Sequence, residues 1–147
     1  MAIQTIVTAF DFSEPAGRAL HWAHELALLT HARLEIVHVY PDLYDGRGDV
    51  ALGLPWPSAG QEERYLRFLE QEVRTAAQTL IGEGGPSFGV RIVRGDPVKR
   101  LLVAAEELHA DLIVVGATGK SRVQRVMLGS VSEYVLRESR VSVAVTH

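Results

Sequence analysis

A chain of 147 residues with 47% apolar and 22% charged side chains has the size and balance of one packed domain, expected to span 1–147 without room for a second. A net charge of −3 argues against a general binder of nucleic acid or anionic membranes, and the lack of cysteine removes disulfides, thiolate zinc sites and cysteine nucleophiles. No stretch approaches the roughly 20 uninterrupted apolar residues of a membrane span, and Met1 to Phe10 lacks the marks of a signal peptide. A soluble, cytoplasmic protein is expected.

The β-branched run Ile3 to Ala9 predicts a first strand. Ser13, with Pro15 in the first turn, opens a helix that carries Ala16, Leu20, Ala23 and Ala27 on one face. Leu34 to Val39 reads as the second strand. The next stretch, Pro41 to Gly60, has three prolines, four glycines and no period, so a long loop is expected there. Ser58 and Gln61 form a capping box for a helix of Leu66, Leu69, Val73, Ala76 and Leu80, closed by Gly82. Val90 to Val93 is a third strand, and Arg91 and Arg94 around Ile92 mark it as an edge. Asp96 followed by Pro97 starts a helix of Val98, Leu101, Leu102, Ala105 and Leu108. Leu112 to Val115 is apolar throughout, which suits a strand covered on both faces. Ser130 and Glu133 form a capping box for a last helix, with Tyr134, Val135 and Leu136, and Val141 to Val145 is the last strand. Strands that alternate with helices require crossovers, and right-handed crossovers build a parallel sheet with helices on both faces.

In such a sheet, ligands sit beyond the carboxyl ends of the strands, where the strand order reverses. The residues that follow the strands are Phe10, Asp11 and Ser13, then Tyr40, then Gly95, Asp96 and Pro97, and then Gly116 onward. The run Gly116-Ala117-Thr118-Gly119-Lys120-Ser121 invites comparison with a P-loop, but the position that needs a further glycine is Val114. A dinucleotide fingerprint fails as well, since no glycine follows the first strand before Gly17. A receiver domain would need clustered acids after the first strand and another after the third, where Arg94 stands. A two-part anion site remains. Gly116 and Gly119 allow backbone N–H groups to approach a ligand, and Gly129 and Ser130 open a helix whose amino end attracts negative charge. Taken singly, the first pair could be a tight turn and the second an ordinary cap.

The spacing Gly116-x2-Gly119-x9-Gly129-Ser130 after an apolar strand resembles the ATP-binding signature of the universal stress protein family. The likeness covers essentially the whole chain. Thr8-Ala9-Phe10-Asp11-Phe12-Ser13-Glu14 resembles the family's first strand end, Val37-His38-Val39 its second, Gly95-Asp96-Pro97 its glycine-x-proline turn, and Leu128 to Glu133 its last helix start. The resemblance implies a Rossmann-like open five-stranded sheet in the order 3-2-1-4-5, with Asp11 and Gly116 on neighbouring strand ends. It further implies that Asp11 meets the adenosine part of ATP and that the backbone near Val39 reads the adenine edge. By the same likeness Gly116, Gly119, Gly129 and Ser130 hold phosphates with the Val131 N–H and the Ser132 hydroxyl, while Ala9, Phe10 and Val115 line the site. Mg²⁺ or Mn²⁺ would enter through the phosphates, with no protein ligand. A carboxylate suits ribose hydroxyls or a metal better than bare phosphate oxygens. Phe10 is larger than the residue expected beside that aspartate, so a ring pointing into the pocket would limit affinity or base choice.

The remaining polar residues read as structural. His21 and His24 share a helix face with Arg18 and Glu25 and are expected as a solvated pair, not a metal site. His38 reads as structural, and Trp22 and Trp56 as packing or loop anchors. Lys120, Arg122 and Arg125 are either a solvated cluster or neutralisers of phosphate. The expected function is a nucleotide-dependent switch or adaptor in stress response, without catalytic residues. A slow ATPase is the first alternative, although the sequence offers no clear water-positioning glutamine or glutamate beside the glycine loop. A nucleotide-independent dimeric module is the second. The last strand, with Val141, Val143 and Val145, contains no lysine, proline or glycine to discourage pairing, so a homodimer through that edge is expected.

Overall fold

A computed structural model describes residues 2–40, 59–82, 87–117 and 129–147. Five strands and four helices alternate in it: β1 (Thr5–Ala9), α1 (Glu14–Thr30), β2 (Arg33–Tyr40), α2 (Ala59–Ile81), β3 (Phe88–Arg94), α3 (Pro97–Glu107), β4 (Leu112–Gly116), α4 (Ser130–Glu138) and β5 (Ser142–Thr146). All strand pairs are parallel and the order is β3-β2-β1-β4-β5, as the alternation of strands and helices and the resemblance imply. The order reverses between β1 and β4. There the Thr8 hydroxyl donates to the Val114 carbonyl at 3.1 Å, a satisfied polar contact inside an otherwise apolar layer.

Two cores cover the sheet. On one face, Ile6, Leu34, Ile36 and Val114 pack beneath Ala16, Leu20, Ala23 and Ala27 of α1 and Val73 and Ala77 of α2. On the other, Val7, Val37, Ile113 and Val115 pack beneath Leu101, Ala104 and Ala105 of α3 and Val135 of α4. The period-2 alternation along each strand therefore sends odd and even positions of β1 and β2 to opposite cores. β3 is an outer strand, and its two arginines turn to helices: Arg91 pairs with Glu107 and Arg94 with Glu62.

Several helix signals act as read. Ser13 accepts from the Ala16 N–H, Asp96 accepts from the Lys99 N–H at 2.9 Å, and Gly82 closes α2 with φ of 77°. Ser58 and the loop over 41–58 lie outside the described residues, as does Trp56. Two expectations change. The N-cap of α4 is Gly129, so Ser130 is already helical and the expected capping box with Glu133 does not form. His24 is not solvated: it is 3% exposed, and His21 alone of that pair faces water. Two helices close through histidines, since His31 ends α1 and His109 follows α3, both in the left-handed region.

Candidate functional site

A cleft of about 180 Å³ opens at the carboxyl edge of the sheet, where the order reverses. Its walls come from the end of β1, the end of β2, the end of β4 and the first turns of α1, α3 and α4. Of the expected site residues, Ala9, Phe10, Asp11, Val39, Val115, Gly116, Ser130, Val131 and Ser132 all line it. Gly129 stands at the same helix end as the N-cap of α4. Gly119 and the basic residues Lys120, Arg122 and Arg125 lie outside the described residues. A wider groove of about 790 Å³ runs past Phe12, Trp22 and Leu80, but the helix start on its wall, that of α1, is capped by Ser13. The smaller cleft is the better candidate because polar groups converge there.

The helix ends explain why. Ser13 caps α1 and Asp96 caps α3 with their own side chains, so those amino ends are already partly neutralised. Gly129 offers α4 no side-chain cap, and Ser130, Val131 and Ser132 of its first turn line the cleft. Open N–H groups and the helix dipole together favour an anion at that point. The Ser132 hydroxyl is not spare. It donates to the Gly116 carbonyl at 2.7 Å, is buried, and ties α4 to the end of β4.

Gly116 has a second reason to be glycine. A Cβ there would lie 2.2 Å from the Pro15 carbonyl oxygen and 2.4 Å from its carbon, so the start of α1 passes directly over the end of β4. Backbone freedom toward a ligand is the weaker demand, since close packing alone already excludes a side chain. Pro15 was not legible as a site residue, because the contact is between backbone atoms.

Asp11 is exposed at the end of β1, and one carboxylate oxygen accepts the Ser13 N–H at 3.0 Å. The other oxygen accepts no hydrogen bond among the described residues. Between these residues Phe12 takes the left-handed conformation at φ of 65°, which costs about 1–3 kcal/mol for a residue with a side chain. Ring contacts offset part of that strain: Phe12 stands 5.1 Å from Phe10 and 5.2 Å, edge-on, from His38. The Phe10 ring is 3% exposed and belongs to the core beneath α1, on the face opposite Ala9, Val39 and Val115. Phe10 therefore leaves the pocket its space.

Val37 and Pro97, present in the motifs read from the sequence but not among the expected site residues, line the same cleft. Pro97 had a signal in the turn Gly95-Asp96-Pro97, where Gly95 has φ of 133° and its N–H donates to the Tyr40 carbonyl. Among the described residues no three His, Asp or Glu side chains gather as a metal site, and no helix is long and apolar enough to cross a membrane.

Comparison with known proteins agrees with this fold. A universal stress protein of Thermus aquaticus is 33% identical over 136 residues, covering 92% of this chain and 93% of its own. The stress response protein NhaX of Bacillus subtilis is 26% identical, covering 95% of each chain. Among solved structures, a universal stress protein in complex with cAMP has a TM-score of 0.67 at 29% identity and covers 100% of this chain and 98% of its own. The profile of the universal stress protein family matches residues 2–147, and the chain belongs to that family.

Proposed function

We propose that this protein, a single domain over 1–147, binds ATP with Mg²⁺ or Mn²⁺ and acts as a nucleotide-dependent switch or adaptor in stress response. The observation that carries the reading is the uncapped amino end of α4, which faces the strand-order reversal beside the free carboxylate oxygen of Asp11. One end of the cleft suits phosphate and the other suits ribose hydroxyls. Ala9, Val39 and Val115 give the base an apolar wall, and a related protein holds an adenine nucleotide, cAMP. Gly119 would add phosphate contacts, by resemblance to the family's signature.

A regulatory role is favoured over a catalytic one because Asp11 is the only acid among the described residues lining the cleft, and it already accepts the Ser13 N–H. A steady-state hydrolysis rate near the enzyme median of about 10 per second, lost in Asp11→Asn, would overturn this choice.

The same reading includes a homodimer through β5. The Thr146 carbonyl accepts from the Ala117 N–H, which turns the backbone groups of Thr146, Ala144 and Ser142 toward β4. By alternation the groups of Val143 and Val145 point outward, to the free edge. A second copy could satisfy them across a two-fold axis.

Calorimetric titration with Mg-ATP tests the site through one substitution. Ser130→Pro suits the first helical position and the extended Gly129 before it, at φ of −64° and ψ of 157°, so the fold should persist. It removes one N–H from the anion site. Binding should weaken about tenfold against Ser130→Ala, which keeps that N–H. Equal affinity in the two variants would remove α4 from the site.

A further inference from the structure

His38 lies on β2, on the face away from the cleft, and does not itself line it. Its side chain is buried at 9% exposure, and its Nδ1 lies 2.7 Å from the Phe10 carbonyl oxygen. A carbonyl can only accept, so the ring presents Nδ1–H to it, a tautomer fixed by its partner. The Phe10 N–H in turn donates to the Val37 carbonyl at 2.9 Å. Phe10 is thus held at both of its backbone polar groups, and both holds come from neighbouring residues of β2. The peptide whose oxygen His38 grips is the one that leads into Asp11. Beyond Asp11 the chain turns through left-handed Phe12, whose ring rests edge-on against the same imidazole at 5.2 Å. One buried side chain therefore fixes the peptide before the carboxylate and buttresses the residue after it.

We propose that His38 is a positioning residue, which aims the Asp11 carboxylate by holding the Phe10–Asp11 peptide plane and the Phe12 ring. This inference rests on the nucleotide reading of the site. The strand end alone, paired only through Phe10 N–H, would leave the plane of the next peptide free to rotate. An exposed carboxylate on a rotating peptide recognises hydroxyls poorly, because each added conformer dilutes the competent one.

A double-mutant cycle with Mg-ATP, read by calorimetry, separates positioning from general stability. His38→Leu removes the donor and should weaken binding about tenfold, while His38→Asn, whose amide can donate to the same carbonyl, should stay within about twofold. In an Asp11→Ala background, His38→Leu should change affinity by less than about twofold, since there is no carboxylate left to aim. An equal loss in both backgrounds, or an equal loss in His38→Asn, would overturn the proposal. If His38→Leu does not fold, nitrogen-detected NMR of the unmodified protein decides: an imidazole protonated at Nδ1 is expected, and protonation at Nε2 alone contradicts it. Absence of Mg-ATP binding to the unmodified protein would overturn the nucleotide reading and this inference with it. Normal binding with additive effects would overturn this inference alone.

Discussion

At the amino edge of the sheet Asp111 accepts two backbone N–H groups, from Gln4 at 2.8 Å and Thr5 at 3.0 Å, whereas at the carboxyl edge Asp11 accepts one, from Ser13 at 3.0 Å. The same residue type does different work at the two ends. Asp111 locks β1 to the start of β4, and the Gln4 and Thr5 N–H groups hold its carboxyl below the usual carboxylate range. Asp11 has a second oxygen that accepts no hydrogen bond among the described residues. The helix ends repeat the contrast, because α1 and α3 are capped by Ser13 and Asp96 while α4 begins at an uncapped glycine. Polar groups satisfied within the chain mark structure, and groups left open in a cleft mark the place for a ligand.

Four substitutions break or sharpen that contrast. Gly116→Ala should have the largest effect, since its Cβ would meet the Pro15 backbone at 2.2 Å and neither partner is a side chain that can swing away. A loss of about 3 kcal/mol in denaturant unfolding is expected, with ATP binding lost as α1 is displaced. Ser130→Asp should separate stability from binding. A carboxylate in the first turn of α4 gains about 0.5 kcal/mol from the helix dipole but repels phosphate, so melting temperature should hold or rise while Mg-ATP affinity falls at least tenfold. Loss of stability together with binding would show that the open end of α4 is structural.

Val143→Pro removes an N–H that points to the free edge of β5, so it should shift a dimer to monomer in light scattering with Mg-ATP binding retained. A monomer for the unmodified protein at micromolar concentration contradicts the β5 interface. Asp111→Asn should have the smallest effect at neutral pH. A folded-state pKa below the unfolded value of about 3.9 contributes stability above that value, which is lost as pH falls through the lower folded value. The variant should therefore show a shallower acid-unfolding limb below about pH 4 with Mg-ATP affinity unchanged at pH 7, and an unchanged limb contradicts the role given to Asp111.

Much of this organisation was legible in the sequence, and the exceptions share a cause. The strands announced themselves through β-branched runs, and α1 and α3 through Ser13-x-Pro15 and Asp96-Pro97, because these signals act over a few residues. The cap of α4 was misplaced by one residue, since serine-x-x-glutamate fits a capping box at Ser130 while the chain enters the helix at Gly129. Burial of His24 and the His38 bond to Phe10 depend on what packs across from them, which periodicity cannot report. The two left-handed histidines were also silent, because glycine or asparagine is the usual mark of such a turn. At the site, strand-end position singled out Asp11 and Gly116 correctly for the cleft. It could not distinguish a glycine that admits a ligand from one that admits the backbone of Pro15.

Amide chemical-shift mapping during a Mg-ATP titration tests the central proposal most directly, because it reads both edges of the sheet in one experiment. The proposed site predicts saturable shifts at Asp11, Gly116, Ser130, Val131 and Ser132, with Gln4, Thr5 and Asp111 unmoved. Shifts absent throughout, or concentrated around Asp111 or along the groove of Trp22 and Leu80, would contradict it.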